Sequence, residues 1–279
     1  MSYQPNSANA ELLNTALAII KSVEYKPSLR WLQYQLLQKG LLRNKQVAFN
    51  TFKGLASKAR KGFWNGWTPW TLADSIREFH DAGRGYQNLD EYMEAEKNYA
   101  VTLDFMHNQN YYVEVWYEAM AMHGQFKHIL EPLGIPLLPF QGDTSISIKW
   151  EAAERLEKRY NDFGKPVVII YFGDCDDKGK QIPQSAIKDI RLWCDPDFEF
   201  IVAGLTLAQA KKYKLPENPE KKGQYQWEAL PDKAAKEIIL GTVRKYWNFK
   251  AVESMQEEQN VLSEEWHTII DDILERRKN

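Results

Sequence analysis

Apolar positions recur at helical spacing through the N-terminal part of the chain. Residues 9–23 carry Leu12, Leu13, Ala16, Leu17 and Ile20 at that spacing and predict an amphipathic helix. Pro27-Ser28 reads as the start of a second helix. Its stripe of Leu29, Leu32 and Leu36 runs to Lys39 and stops at Gly40. Tyr34 lies about 140–200° around that helix from each of the three leucines. It shares a face with Arg30, one turn earlier. Trp31 and Leu37 flank this face, so Tyr34 is either presented to a partner or buried between two packing surfaces. Residues 45–62 divide cleanly, with Phe49, Phe52, Ala56 and Ala59 on one face and Asn50, Lys53, Ser57, Arg60 and Lys61 on the other. The tryptophan-rich stretch from Gly62 to Trp70 is a wing or a small core, and Asp74 and Arg77 follow at i, i+3 on a further predicted helix.

Beyond residue 86 the pattern changes. A connecting helix over 88–107 leads into an aromatic and β-branched strand, 111–116, that ends in Tyr117-Glu118. Elements then alternate: helix 119–133, strand 135–140, helix 144–160, strand 166–172, helix 183–193, strand 199–203 and helix 205–213. Such alternation with short connections predicts an α/β fold built on a parallel sheet. The run Val167 to Phe172 is continuously apolar, as in a strand buried on both faces. A Pro/Lys/Glu-rich loop, 214–223, precedes helices over 231–247 and 256–277. The last helix carries Trp266, Ile269, Ile270 and Ile273 on one side, for packing on the body or for a dimer surface. The expected organisation is a helical domain over 1–85, a connecting helix over 86–110, a sheet domain over 111–215 and a helical extension over 216–279.

Charge changes the picture more than composition does. Hydrophobic and charged contents of 44% and 27% are ordinary for a globular chain. The net charge of -2 conceals ten Lys/Arg against Glu11 and Glu24 in residues 1–62, a segment charge of +8 that leaves -10 for the rest. A basic head on an acidic body points either to a polyanionic partner or to a merely solvated basic face. Two helices joined by a short Gly-containing turn, the second with Lys45, Lys53, Lys58, Arg60 and Lys61 on or beside its polar face, resemble a helix-turn-helix or winged-helix unit on double-stranded DNA. No apolar run is long enough to span a bilayer, and the N-terminus lacks a signal-peptide pattern. Cys175 and Cys194 make no disulfide framework, so a cytoplasmic location is expected, nucleoid-associated in a bacterial host.

The candidate chemistry sits after the most apolar strand, where Gly173 is followed by Asp174-Cys-Asp176-Asp-Lys-Gly179. Strand ends in open α/β sheets deliver residues to the functional edge. Carboxylates crowded there resist ionisation unless a cation neutralises them, and hard oxygen donors suit Mg2+; taken alone, the same motif also reads as an acidic turn capping the next helix with no metal. Glu118, at the end of another strand, reaches the same edge.

The order of elements and this acidic pattern resemble the Toprim domain of topoisomerases, primases and several nucleases. Ser28-Leu-Arg30-Trp-Leu-Gln-Tyr34 reproduces the Arg-x-x-x-Tyr helix motif of the topoisomerase VI A subunit and the related meiotic double-strand-break proteins, which carry a winged-helix domain ahead of Toprim. The stretch Trp67…Trp70…Asp74…Arg77, Val113-Glu-Val-Trp-Tyr-Glu118 and Trp227-Glu-Ala-Leu-Pro231 are similar to segments of small phage- or plasmid-borne relatives. The chain departs from the family pattern at Gln33, where an aromatic residue is usual, at Ala119, where a lysine is common, and at Asp177, where a proline is common.

The resemblance implies DNA cleavage by transesterification. Tyr34 would be the nucleophile, Arg30 the stabiliser of phenolate and phosphate, and Glu118, Asp174 and Asp176 the ligands of Mg2+ or Mn2+. It also implies a homodimer in which one protomer's tyrosine works with the other's metal site, and a separate ATPase subunit for strand passage, because no P-loop motif is present. Two rivals use the same residues differently. A Toprim nuclease would activate water and leave free ends. A non-catalytic phage or plasmid replication or regulatory protein would bind DNA without cutting it.

Overall fold

The computed structural model describes residues 3–73, 85–97, 101–140, 146–219 and 221–278. The Asp74/Arg77 pair lies outside the described residues. Three helices open the chain: α1 (Ser7–Lys21), α2 (Leu29–Gln38) and α3 (Gln46–Lys61). Asn6 caps α1 and Ser28 caps α2, each side chain accepting a backbone N–H of the first turn. Their shared core contains Leu13, Ala16, Leu17, Leu32, Leu36, Phe52, Ala56 and Ala59, the positions set by helical spacing. Trp67 is fully buried in that core and donates its indole N–H to the Leu13 carbonyl at 3.2 Å, whereas Trp70 is 79% exposed under the Lys26 ammonium. The tryptophan-rich stretch is thus part core and part surface. The turn that carries it holds two non-glycine residues at positive φ, Phe63 at 48° and Asn65 at 43°.

The body follows. Its elements are α4 (Leu89–Lys97), β1 (Tyr112–Tyr117), α5 (His123–Leu130), β2 (Leu137–Pro139), α6 (Ile146–Phe163) and β3 (Val167–Phe172). Next come α7 (Asp177–Trp193), β4 (Phe198–Val202), α8 (Leu207–Lys212), α9 (Asp232–Val243) and α10 (Phe249–Lys278). The four strands form one all-parallel sheet in the order β2-β1-β3-β4, so the molecule is α/β as expected. β1 and β3 are the central strands and are buried along their whole lengths, in accord with the continuous apolar run of Val167 to Phe172. The one charged side chain within β1, Glu114, is 1% exposed. Its carboxylate is fully satisfied by the Tyr112 hydroxyl, the Trp116 indole and two nitrogens of Arg155 at 2.6–2.8 Å.

Several boundaries differ from the sequence pattern for identifiable reasons. The helix expected over 88–107 does not run unbroken: α4 is described over Leu89–Lys97, residues 101–104 are not helical, and Asp104 caps a separate 3-10 turn, Phe105–Asn108. α7 begins at Asp177 rather than at Pro183, and the proline lies inside the helix. α10 begins seven residues earlier than predicted and packs along α4, with Trp266 donating to the Glu96 carbonyl and with Ile270 and Leu274 buried. The packed row is 266, 270, 274, while Ile269 and Ile273 stay exposed. Among the described residues no helix is long and apolar enough to cross a membrane.

Candidate functional site

The parallel sheet delivers its strand ends to one edge. Glu118 directly follows β1, and its backbone N–H extends the ladder by donating to the Phe172 carbonyl at 2.9 Å. Asp174 follows β3 by one glycine. The chain leaving β4 presses against that glycine: Leu205 N donates to Gly173 O at 2.9 Å, and a Cβ on Gly204 would sit 2.5 Å from the same oxygen. Only a glycine fits there without shifting the backbone that carries Asp174. Gly204→Ala is therefore expected to cost about 1–3 kcal/mol, read as a lower urea midpoint with an unchanged slope.

The loop after α8 returns to the same edge. Cys175 and Tyr225 exchange two backbone hydrogen bonds, 2.9 and 3.2 Å, as an isolated antiparallel bridge. That bridge inserts Gln226, Trp227 and Glu228 between the sheet edge and α2. Trp227 N donates to Asp174 Oδ1 at 2.8 Å, and Asp174 N donates to Glu118 Oε2 at 2.9 Å. On the other side Gln38 donates to the Ala229 carbonyl, Gln35 donates to Leu230 O at 3.2 Å, and Tyr25 donates to Asp232 Oδ1 at 2.8 Å. The N-terminal helices are thereby fastened to the body at the acidic edge.

Tyr34 and Arg30 complete the arrangement. Tyr34 points away from the leucine stripe, as the helical wheel requires, and leaves the N-terminal core to join the body's. It is 2% exposed, stands edge-on to Phe49, and donates its hydroxyl to Gln226 Oε1 at 2.5 Å. Arg30 donates to the same Gln226 oxygen and holds Glu228 Oε1 at 3.2 Å from Nε. Tyr34, Arg30, Glu118, Asp174 and Asp176 all line one open cavity of about 810 Å³. Lys53 stands at its wall and Lys45, Lys58 and Lys61 are exposed along α3. Arg60 is the exception among the cationic candidates. It is half-buried, and its guanidinium donates to the Pro69 carbonyl.

Electrostatics mark the cavity as strained in charge. Burial pushes the Asp174 carboxyl well above the usual carboxylate range, and Glu228 and Glu118 push it further, against the Trp227 N–H and Arg30. Glu118 is raised by burial too, and by Asp176 and Glu228, against the Asp174 N–H and Arg30. Burial opposes the Arg30 charge, but Glu228, Tyr34 and Asp174 outweigh it and hold the guanidinium protonated. Burial also raises Tyr34, with Arg30 pulling the other way.

Two features depart from the expectations. First, Glu118, Asp174 and Asp176 share the cavity, but among the described residues no three His, Cys, Asp or Glu side chains converge closely enough to hold a metal ion. Glu118 and Asp174 each spend an oxygen on a backbone N–H instead. Glu118 raises the proton affinity of Asp174, Asp176 raises that of Glu118, and Glu228, itself buried, has two carboxylate oxygens without a hydrogen bond among the described residues. Second, Tyr34 meets the carboxylates of its own chain, whereas the resemblance implies a pairing across two protomers.

Gln226 and Glu228 were not anticipated as site residues. Their signal was a carboxylate among Trp227, Ala229 and Leu230, all three buried, directly after a polar loop. Compared with models of protein families, with characterised proteins and with solved structures, the chain matches none.

Proposed function

We propose that this chain is a DNA-binding protein that cleaves DNA by tyrosine transesterification, in the manner of the topoisomerase VI A subunit, with a winged-helix-like head and a Toprim-like body. The observation that carries the reading is the meeting of Tyr34 and Arg30 with Glu118, Asp174 and Asp176 around a single cavity. Residues from α2 and from the segments that follow β1 and β3, far apart in sequence, line it together.

In the proposed step the Tyr34 Oη attacks a backbone phosphorus. The phosphorus–O3′ bond breaks, the 3′-oxygen takes a proton as it leaves, and the phenol proton passes to solvent or to a phosphate oxygen. The product is a 5′-phosphotyrosyl bond and a free 3′-hydroxyl that reverses the reaction. Arg30 stabilises the phenolate and the phosphate charge. Mg2+ or Mn2+ held by Glu118, Asp174 and Asp176 would supply charge neutralisation at a phosphate or leaving oxygen. Lys53 at the cavity wall, with Lys45, Lys58 and Lys61 along the exposed face of α3, would track the DNA backbone with salt-dependent affinity.

One observation favours a second reading. Tyr34 is buried and its phenol resists ionisation, which suits hydrolysis by a water molecule with the tyrosine in a structural role. Supercoiled DNA incubated with the protein and Mg2+ or Mn2+, stopped with detergent and run with and without protease, separates the readings. Transesterification gives nicked or linear DNA whose 5′ ends carry protein until protease is added. Protein-free ends in both lanes support hydrolysis, and intact DNA under both metals overturns cutting altogether.

A further inference from the structure

We propose that Gln226 contacts the DNA phosphate at the cavity: its amide oxygen aligns Tyr34 with Arg30, and its amide nitrogen donates to a non-bridging phosphate oxygen. The inference rests on the proposal that this chain binds DNA there, and adds to it a neutral donor beside the candidate nucleophile.

Gln226 is 9% exposed and lines the same cavity as Tyr34, Arg30 and the strand-end carboxylates. Its Oε1 accepts from the Tyr34 hydroxyl at 2.5 Å and from the Arg30 guanidinium. A guanidinium only donates, so the atom facing Arg30 is the oxygen and the orientation of the amide is fixed by its partner. Among the described residues these are the side chain's only hydrogen bonds, and Nε2 is not one of the orphaned atoms sealed from solvent. Two N–H donors of a nearly buried amide therefore open on the cavity, two bonds from the oxygen that Tyr34 touches. Unpaired donors call for an anionic acceptor.

The backbone that carries Gln226 is held on both sides. Tyr225 exchanges two hydrogen bonds with Cys175, and Trp227 N donates to Asp174 Oδ1 at 2.8 Å. The Trp227 indole also donates to Gln125 Oε1 at 2.9 Å. The amide is thus in place before any ligand arrives, as a donor aimed at phosphate charge needs to be. A phosphorus within about 3–3.5 Å of Tyr34 Oη, the range for attack, brings its non-bridging oxygens within reach of Nε2. The amide adds no charge, so the neighbouring carboxylates do not neutralise it as Glu228 does Arg30.

The test is fluorescence anisotropy of a short labelled DNA duplex with the full chain in chelating buffer, where metal-dependent cleavage is not read. Gln226→Met keeps the length of the side chain and removes the amide. It is expected to weaken binding by about tenfold and to leave the salt slope unchanged, because the amide releases no counterion. A direct phosphate contact predicts the same loss, about tenfold, when Gln226→Met is added to an Arg30→Met chain. If Gln226 only aligns Tyr34 and Arg30, its substitution costs nothing further in that chain. That result, or an affinity of the single variant within about twofold of the unaltered chain, overturns the inference and leaves Tyr34 to the adduct assay. Absence of DNA binding by the unaltered chain overturns both. The expected losses without any cleavage in Mg2+ or Mn2+ would uphold the contact and sink the cutting. Far-UV circular dichroism checks that each variant folds. Should Gln226→Met fail that check, Gln226→Glu decides: it keeps both acceptor bonds and loses the donor, so an affinity equal to or above that of the unaltered chain overturns the inference.

Discussion

Tyr34→Phe is expected to abolish the covalent protein–DNA adduct, by about 10⁴-fold or more, while DNA binding and the fold persist. The substitution removes one oxygen. The ring keeps its edge-on contact with Phe49, and Gln226 Oε1 keeps the Arg30 guanidinium as a donor. Only one hydrogen bond is lost, worth roughly 0.5–1.5 kcal/mol net. Adduct formation is read by protein-linked label on denaturing gels, and binding by mobility shift. Adducts that survive the substitution would assign the nucleophile elsewhere. A mixture of Tyr34→Phe and Asp174→Asn chains adds a second result. If each chain uses its own tyrosine and carboxylates, as their common cavity favours, the mixture stays inactive. If a homodimer pairs them across protomers, as the resemblance implies, cleavage returns.

How much of this was legible in the sequence varies with the physics behind each element. Strand β3 was legible because burial on both faces imposes an unbroken apolar run, and its end was legible because carboxylates cannot continue such a run. The face of α3 was legible because helical spacing separates Phe49, Phe52, Ala56 and Ala59 from the lysines. Tyr34 could be placed opposite the leucines, but its burial depended on what covered it. The covering segment, Gln226 to Glu228, comes from nearly two hundred residues away and is held by the Cys175–Tyr225 bridge. No local pattern records a long-range contact of that kind. The early start of α7 was hidden for a different reason. Pro183 reads as a first-turn residue, yet here the helix runs through it from the residue after Asp176.

The counter-ion logic of the site leads to an effect of opposite sign on function and on stability. Asp174→Asn is expected to lower cleavage by about 10²–10³-fold or more and yet to stabilise the metal-free protein at neutral pH by roughly 0.5–2 kcal/mol. Asp174 and Glu118 are both raised, burial first and neighbouring carboxylates second. A carboxyl whose folded value is raised binds its proton more tightly in the folded state than in the unfolded chain. The favourable contribution is therefore complete below the ordinary carboxylate range, about 4, and is lost as pH rises through the raised values. The amide of the variant keeps the acceptor oxygen that Trp227 N requires and carries no charge to repel Glu118 or Glu228. Thermal unfolding in a chelating buffer should show the variant more stable than the unaltered chain at pH 7, with the difference vanishing near pH 4. Saturating Mg2+ should close the gap from the other side, stabilising the unaltered chain by about 2.7 kcal/mol at a hundred times the dissociation constant and the variant far less. A variant less stable at pH 7 would mean that Arg30 and the Trp227 N–H already neutralise Asp174 in full, leaving no charge for a cation to balance.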